Sequence, residues 1–224
     1  MGFLTKNEAT VAMISVAKEL NQVGMLFRGN HANLSTRLAE DRFLMTQGGN
    51  VANLKETDFA VVSLQGDILE GNMDPVMREV VQMHAGIYRE RSEVGAVIHT
   101  HAPHITAFAV ANKAIPMAYE PLLRFGLAEE VPVVPWAPRG SEESVGGIIR
   151  TVKEHPGLTA VMMANHGVLV FNKDPKTTGQ LLTTLDEAAE LILMASAIGG
   201  AVDLPQAAFE QVKSRMVAFG SKRA

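Results

Sequence analysis

The chain has 224 residues, 47% of them apolar and 20% charged, which is enough to bury one sizeable core behind an ordinary solvent-facing surface. A formal net charge of -4 and the lack of a basic run argue against nucleic acid as the main partner. Cysteine is absent, so disulfides and thiolate metal sites are excluded and any metal must be held by His and carboxylates. The N-terminus lacks a basic-then-apolar leader, and no stretch reaches about 18 apolar residues without a charge or a break. These features predict a cytoplasmic protein with no membrane contact, folded as one domain over 1–224.

From Lys6 to Leu20, the residues Ala9, Ala12, Met13, Val16, Ala17 and Leu20 recur at helical spacing and predict an amphipathic first helix. Asn21 to Asn33, rich in Gly and Asn, reads as loop. An Asn amide such as Asn33 in a tight loop is a sensible oxyanion donor and equally a turn former. Arg42 to Met45 reads as a short strand broken by Thr46-Gln47-Gly48-Gly49-Asn50. Gly48 and Gly49 let backbone N–H groups approach an anion closely, although a Gly pair is most often a plain turn. Asp58 to Leu64 and Asp67 to Leu69, joined across Gln65-Gly66, predict a hairpin.

Met77 to Arg91 is helical, with Val80, Val81, His84, Ile87 and Tyr88 on one side. Val94 to Ile98 reads as a buried strand. A strand sends alternate side chains to one face, so His99 and His101 point the same way with Cα atoms roughly 6.6 Å apart. Val161-Met162-Met163 is a second apolar run, and it ends at His166. Three neutral imidazoles converging there, with a fourth position open, would make a catalytic metal site. Ala102-Pro103 starts a helix with Pro in its first turn, which places His104 either behind the site or as a bystander.

Val131 to Val134 is a strand, and Ser141 with Ser144 supplies plausible N-caps for a helix from Val145 to Glu154. His155 sits in a solvent-facing turn. Thr159 to Met163 and Val168 to Phe171 are strands around His166, and Gly167 leaves room beside it. Pro175 to Ile198 is a long helix ended by Gly199-Gly200. A short amphipathic helix follows Leu204, and Ser221 to Ala224 is expected to fray. The tight connections at Gln65-Gly66 and Gly167 imply antiparallel pairs. The expected fold is therefore α/β, a three-layer α/β/α arrangement around a mixed, largely antiparallel sheet.

Met83-His84 through Tyr88-Arg89, Val97-Ile98-His99-Thr100-His101 and Asn165-His166-Gly167 together resemble the class II aldolase/adducin family, which includes fuculose- and rhamnulose-phosphate aldolases and ribulose-phosphate 4-epimerase. Ala32-Asn33-Leu34-Ser35-Thr36-Arg37 is similar to the family's Gly-Asn-hydrophobic-Ser-x-Arg motif. The likeness runs from about residue 8 to about residue 200. It implies His99, His101 and His166 as ligands of a divalent ion, with zinc the default for three histidines and Mn2+, Co2+ or Fe2+ able to use the same set.

The resemblance also implies a phosphate site at Asn33, Gly48 and Gly49, with Arg78 as a charged substitute for two serines that the family carries and this chain lacks. The family's acid/base Glu stands four residues before the helix His. Here Val80 holds that place and Glu79 stands five before His84, so Glu79 reaches the metal only through a local irregularity, or else is a helix-start Glu favoured by the macrodipole. Glu120 and Tyr119 are the candidates for a second acid contributed across a subunit boundary in a homotetramer. The implied activity is retro-aldol cleavage of a small phosphorylated ketose through a metal-stabilised enediolate. Decarboxylation or dehydration of a related acid or sugar phosphate is the alternative on the same site, and an adducin-like scaffold is the non-enzymatic one.

Overall fold

The structure, a computed structural model, describes residues 2–26 and 31–221. Its centre is an eight-stranded sheet: β1 (Ala32–Arg37), β2 (Arg42–Thr46), β3 (Phe59–Ser63), β4 (Ile68–Glu70), β5 (Ala96–Thr100), β6 (Val133–Val134), β7 (Ala160–Met163) and β8 (Gly167–Asn172). The spatial order is β4-β3-β2-β1-β5-β8-β7-β6, and every pair is antiparallel except β6 with β7. The sheet is mixed and largely antiparallel, as the tight turns predict.

Side chains alternate strictly between the two faces. Leu34, Leu44, Ile98, Met162, Val168 and Val170 pack into one core, beside α1 (Lys6–Gln22), α3 (Pro103–Ala111) and α5 (Pro175–Ala195). Phe43, Met45, Val97, Val161, Met163, Leu169 and Phe171 pack into the other, against α2 (Arg78–Glu90) and α4 (Glu142–Glu154). The period of two puts His99 on the α2/α4 side together with its odd-numbered neighbours. A last helix, α6 (Gln206–Ser221), follows α5. No helix among the described residues is long and apolar enough to cross a membrane.

Helix starts follow from local chemistry. Thr5 and Glu8 form a capping box on α1, and Asp174 caps α5 with Pro175 at its first position. Ser141 alone caps α4, accepting from the Ser144 N–H at 3.1 Å, so Ser144 lies inside the first turn and is not a cap. The start of α3 has no cap of its own and borrows one: Asp186 of α5 accepts from the His104 and Ile105 N–H groups at 2.9 and 3.0 Å.

The region read as loop holds the main difference. Residues 27–30 lie outside the described residues, but Ala32–Arg37 is a central strand, hydrogen-bonded to β2 and β5 on its two sides. Asn33 is therefore in a strand, directly opposite His99, and not in a tight loop. Of the tail expected to fray, Ser221 ends α6 and 222–224 lie outside the described residues.

Candidate metal centre

His99 is the penultimate residue of β5, His101 lies one residue beyond its end, and His166 sits in the turn between β7 and β8. The registers Thr100 to Val168 and Met163 to Gly167 bring these three chain ends together. Asn165 takes a left-handed conformation (φ 57°) in the turn that carries His166. One ligand atom from each imidazole lies within 4.8 Å of the other two. Ring centroids are 5.2 Å apart for His99 and His101, and 4.9 Å from each of these to His166.

Nδ1 of His99 must donate, because its partner at 2.9 Å is the Val168 carbonyl oxygen. Its Nε2 is then an unprotonated lone pair, and this atom is buried without a hydrogen-bond partner, as is Nε2 of His101. A backbone carbonyl fixing one ring nitrogen so that the other can ligate is the arrangement metal-binding histidines adopt. The rings also stay neutral. Burial holds His99 well below its ordinary range, aided by His166 and His101, and burial with His101 and Arg139 nearby pushes His166 down to about 4. Three neutral donors, two of them with buried, unsatisfied Nε2 atoms, fit a divalent ion, and Gly167 supplies the space, since a Cβ there would meet His101 Cδ2 at 2.6 Å.

His101 and His166 open into a cavity of about 280 Å³ bounded by α2, α4 and the Pro135–Gly140 loop. Its wall is largely apolar, including Val80, Met83, Ile148 and Met163, while Glu79 and Arg139 provide its charges and Trp136 stands on it, 67% exposed. A family model, Class II Aldolase and Adducin N-terminal domain, matches residues 11–193. The chain belongs to the class II aldolase and adducin family.

Among curated proteins, this family member is 26% identical over 208 residues to the 5-methylthioribulose-1-phosphate/5-deoxyribulose-1-phosphate aldolase of Rhodospirillum rubrum, covering 93% of this chain and 90% of that one. It is 30% identical to the 3-oxo-tetronate 4-phosphate decarboxylase of Haemophilus influenzae, over 73% of this chain and 77% of that one. Among solved structures, an L-fuculose 1-phosphate aldolase superposes with a TM-score of 0.81 at 24% identity, covering 93% and 95% of the two chains. The three-layer fold with its mixed sheet is thus the class II aldolase fold. Divalent-metal dependence is general in the family, and a three-histidine group that could hold such an ion is present here.

The other expected residues divide. Glu79, in the first turn of α2, lines the histidine cavity and makes a 3.8 Å ion pair with Arg139. The five-residue spacing to His84 produces this: Val80 turns into the core while Glu79, one residue back, faces the 135–140 loop. Asn33 is buried, and its Oδ1 accepts from His84 Nε2 at 2.6 Å. His84 Nδ1 then accepts from the Ser35 hydroxyl at 2.7 Å, and Ser35 accepts in turn from Tyr88 at 2.8 Å. This relay leaves the Asn33 NH2 as its donor edge and holds His84 neutral, burial pushing it down to about 3.

Gly48 and Gly49 lie in the bend after β2, where the Gly49 carbonyl already accepts from Ala32 N–H and the His31 ring covers the Gly49 Cα. Arg78 is exposed at the start of α2. None of Asn33, Gly48, Gly49, Arg78, Tyr119 or Glu120 lines the cavity. Tyr119 and Glu120 begin a short 3-10 turn on the opposite side of the sheet, where burial and the nearby Glu187 push the Tyr119 hydroxyl up.

His104 does not back the histidine site: its Nδ1 meets Asp186 Oδ2 at 2.8 Å on α5. His155 is half-exposed, as a surface residue should be, and bonds Glu129 at 2.7 Å. Sequence reasoning missed His31, whose ring centroid is 5.8 Å from that of His101, and Arg139. The signal for Arg139 was its place between Pro138 and Gly140 just before a capped helix, where a long side chain has a fixed base.

Proposed function

We infer that this chain is a divalent-metal-dependent aldolase that cleaves a small phosphorylated ketose, with His99, His101 and His166 as metal ligands. The observation carrying the reading is the convergence of three neutral imidazoles whose ligand atoms lie within 4.8 Å of one another, two of them with buried, unpartnered Nε2 atoms. A scaffold module would bear the cost of those unsatisfied nitrogens for no return. An ion on this set, by default Zn2+ with Mn2+, Co2+ or Fe2+ as substitutes, supplies Lewis-acid polarisation of the substrate's oxygens.

The remaining chemistry falls to side chains. Glu79, on the wall of the same cavity, is the group that takes or returns the proton. For a substrate phosphate bound outside the histidine cavity, the family resemblance offers the Asn33 NH2, the Gly48-Gly49 backbone and Arg78. Val80, Met83 and Met163 keep water from the reacting carbons. Tyr119 or Glu120 reaches the leaving aldehyde only from a neighbouring copy, so the reading carries with it a homotetramer with sites at subunit boundaries and, in the cell, a cytoplasmic location.

Decarboxylation of a phosphorylated keto acid is the second reading, favoured by the 30% identity to the Haemophilus influenzae decarboxylase and by the Arg139 charge in the cavity. Elemental analysis of the purified protein, with a turnover screen on ketose 1-phosphates and 3-keto acid phosphates with and without chelator, separates them. About one ion per chain, chelator-sensitive aldehyde release, and loss of both in His99→Ala are the expected results. Carbon dioxide release without aldehyde selects the second reading, and a protein without metal overturns both.

A further inference from the structure

Arg139 is the one cavity charge to which neither the histidine site nor the proton-moving Glu79 gives a task. Its side chain is half-exposed, and its one ion pair among the described residues is the contact from Nε to Glu79 Oε2 at 3.8 Å, beyond hydrogen-bond reach. Three other arginines are committed to the fold. Arg37 donates to the Tyr88 carbonyl, Arg89 to the Leu64 carbonyl, and Arg91 to the Pro156 and Leu158 carbonyls. Arg139 instead offers a planar fork of N–H donors, suited to two oxygens at once, to a cavity wall that is otherwise largely apolar.

The base of this side chain is held firmly. Gly140 has a left-handed backbone (φ +70°) and presses on α2 so closely that a Cβ there would meet Glu79 Cβ at 3.0 Å. Ser141 next to it is tied into the α4 cap, and Pro138 restricts the backbone on the other side.

We propose that Arg139 reads an oxyanion of the substrate, a phosphate or a carboxylate, in the cavity beside His101 and His166, and that this oxyanion takes Arg139 away from Glu79. The inference deepens the aldolase reading and rests on it. A bidentate pair at normal hydrogen-bond length, against an apolar wall, outcompetes a single loose contact at 3.8 Å. Substrate binding then does two things at once: it orients the substrate's charged end and releases the Glu79 carboxylate for proton transfer. A substrate without an oxyanion in that place leaves Glu79 paired.

The test uses the chain's single tryptophan, Trp136, which stands on the same cavity. Its fluorescence is followed while purified protein, metal-loaded and chelator-treated, is titrated with inorganic phosphate or with glycolate. Saturable binding is expected in both forms of the wild type. Arg139→Gln weakens it by about tenfold or more, Arg139→Lys by less, and Glu79→Gln strengthens it about threefold by removing the competitor. The better-bound anion identifies the source, phosphate or carboxylate.

No saturable response, or an Arg139→Gln protein of unchanged circular dichroism that binds as wild type with and without metal, overturns the proposal. Arg139→Lys keeps the question answerable if the Gln variant fails to fold. The titration does not depend on turnover, so failure of the aldolase screen and failure of this inference read out separately.

Discussion

Gly167→Ala should disable the metal site while leaving the fold standing. The new Cβ would lie 2.6 Å from the Thr100 carbonyl oxygen and 2.6 Å from His101 Cδ2. Ordinary contact is at about 3.5 Å, so roughly 0.9 Å must be found. Thr100 cannot supply it, because it is paired with Val168 inside the sheet. The His101 ring, one residue past the strand end and partly exposed, can swing away from the second contact, but the first is with backbone, so the Gly167 end of the turn that carries His166 has to move as well. A ligand displaced by that amount should cost about 10- to 100-fold in metal affinity, and the crowding about 1–3 kcal/mol of stability. Competition against a chromogenic chelator measures the first, and urea denaturation of the metal-free protein the second. Gly48→Ala, whose Cβ would have nothing within 4 Å, is the control and should change neither quantity. A folded Gly167→Ala protein that binds metal within threefold of wild type would refute the reasoning.

His84 predicts a pH dependence. Burial holds it at about 3 in the folded chain, against 6.5 for an ordinary His. Between these values the unfolded state binds a proton that the folded state refuses, so stability falls on acidification by about 1.4 kcal/mol per pH unit from this group. His84→Gln should be less stable at pH 7.5 but decline less steeply from pH 6.5 to 4.5, and equal slopes in urea titrations would count against the relay. Asp186→Ala removes the acceptor for two backbone N–H groups and the His104 ring. It should cost about 2–4 kcal/mol in urea denaturation while metal content per folded chain stays at the wild-type level. Gly146→Ala, inside α4 with open space at the new Cβ, should raise stability by about 0.5–1 kcal/mol, read as a higher denaturation midpoint.

The histidine site was legible because its signal is local. An alternation of two fixes the relative direction of His99 and His101 whatever surrounds them, and a Gly directly after His166 marks the turn that delivers the third ring. The hairpin at Gly66, with its φ of +99°, and the cap at Ser141 are local in the same way. β1 was not legible. Asn33, Ser35 and Arg37 look like loop residues because the partners that make their burial tolerable, His84, Tyr88 and the Tyr88 carbonyl, come from α2 about fifty positions later. His104 likewise takes its role from Asp186, 82 positions away. A polar side chain in a core is decided by a distant acceptor, which no periodicity records.

The two faces of the sheet carry different duties, and this bears on how substrate choice is encoded. The face under α1, α3 and α5 is mainly apolar, with Leu34, Leu44, Val61, Ile98, Val168 and Val170 in its core. The face under α2 and α4 carries His99, the Asn33–His84–Ser35–Tyr88 relay and, at its rim, Glu79. The three histidines are set by strand register, and one step of slippage would turn His99 to the wrong side. The Pro135–Gly140 loop has no such constraint: Trp136 and Arg139 extend from it into the cavity without belonging to either core. Exchanging those two side chains would alter which substrate end is accepted while the histidines stay in place. Members of one fold can therefore share a metal site yet differ in reaction, and in this chain the difference is to be sought at Arg139 and Trp136 before the ligands.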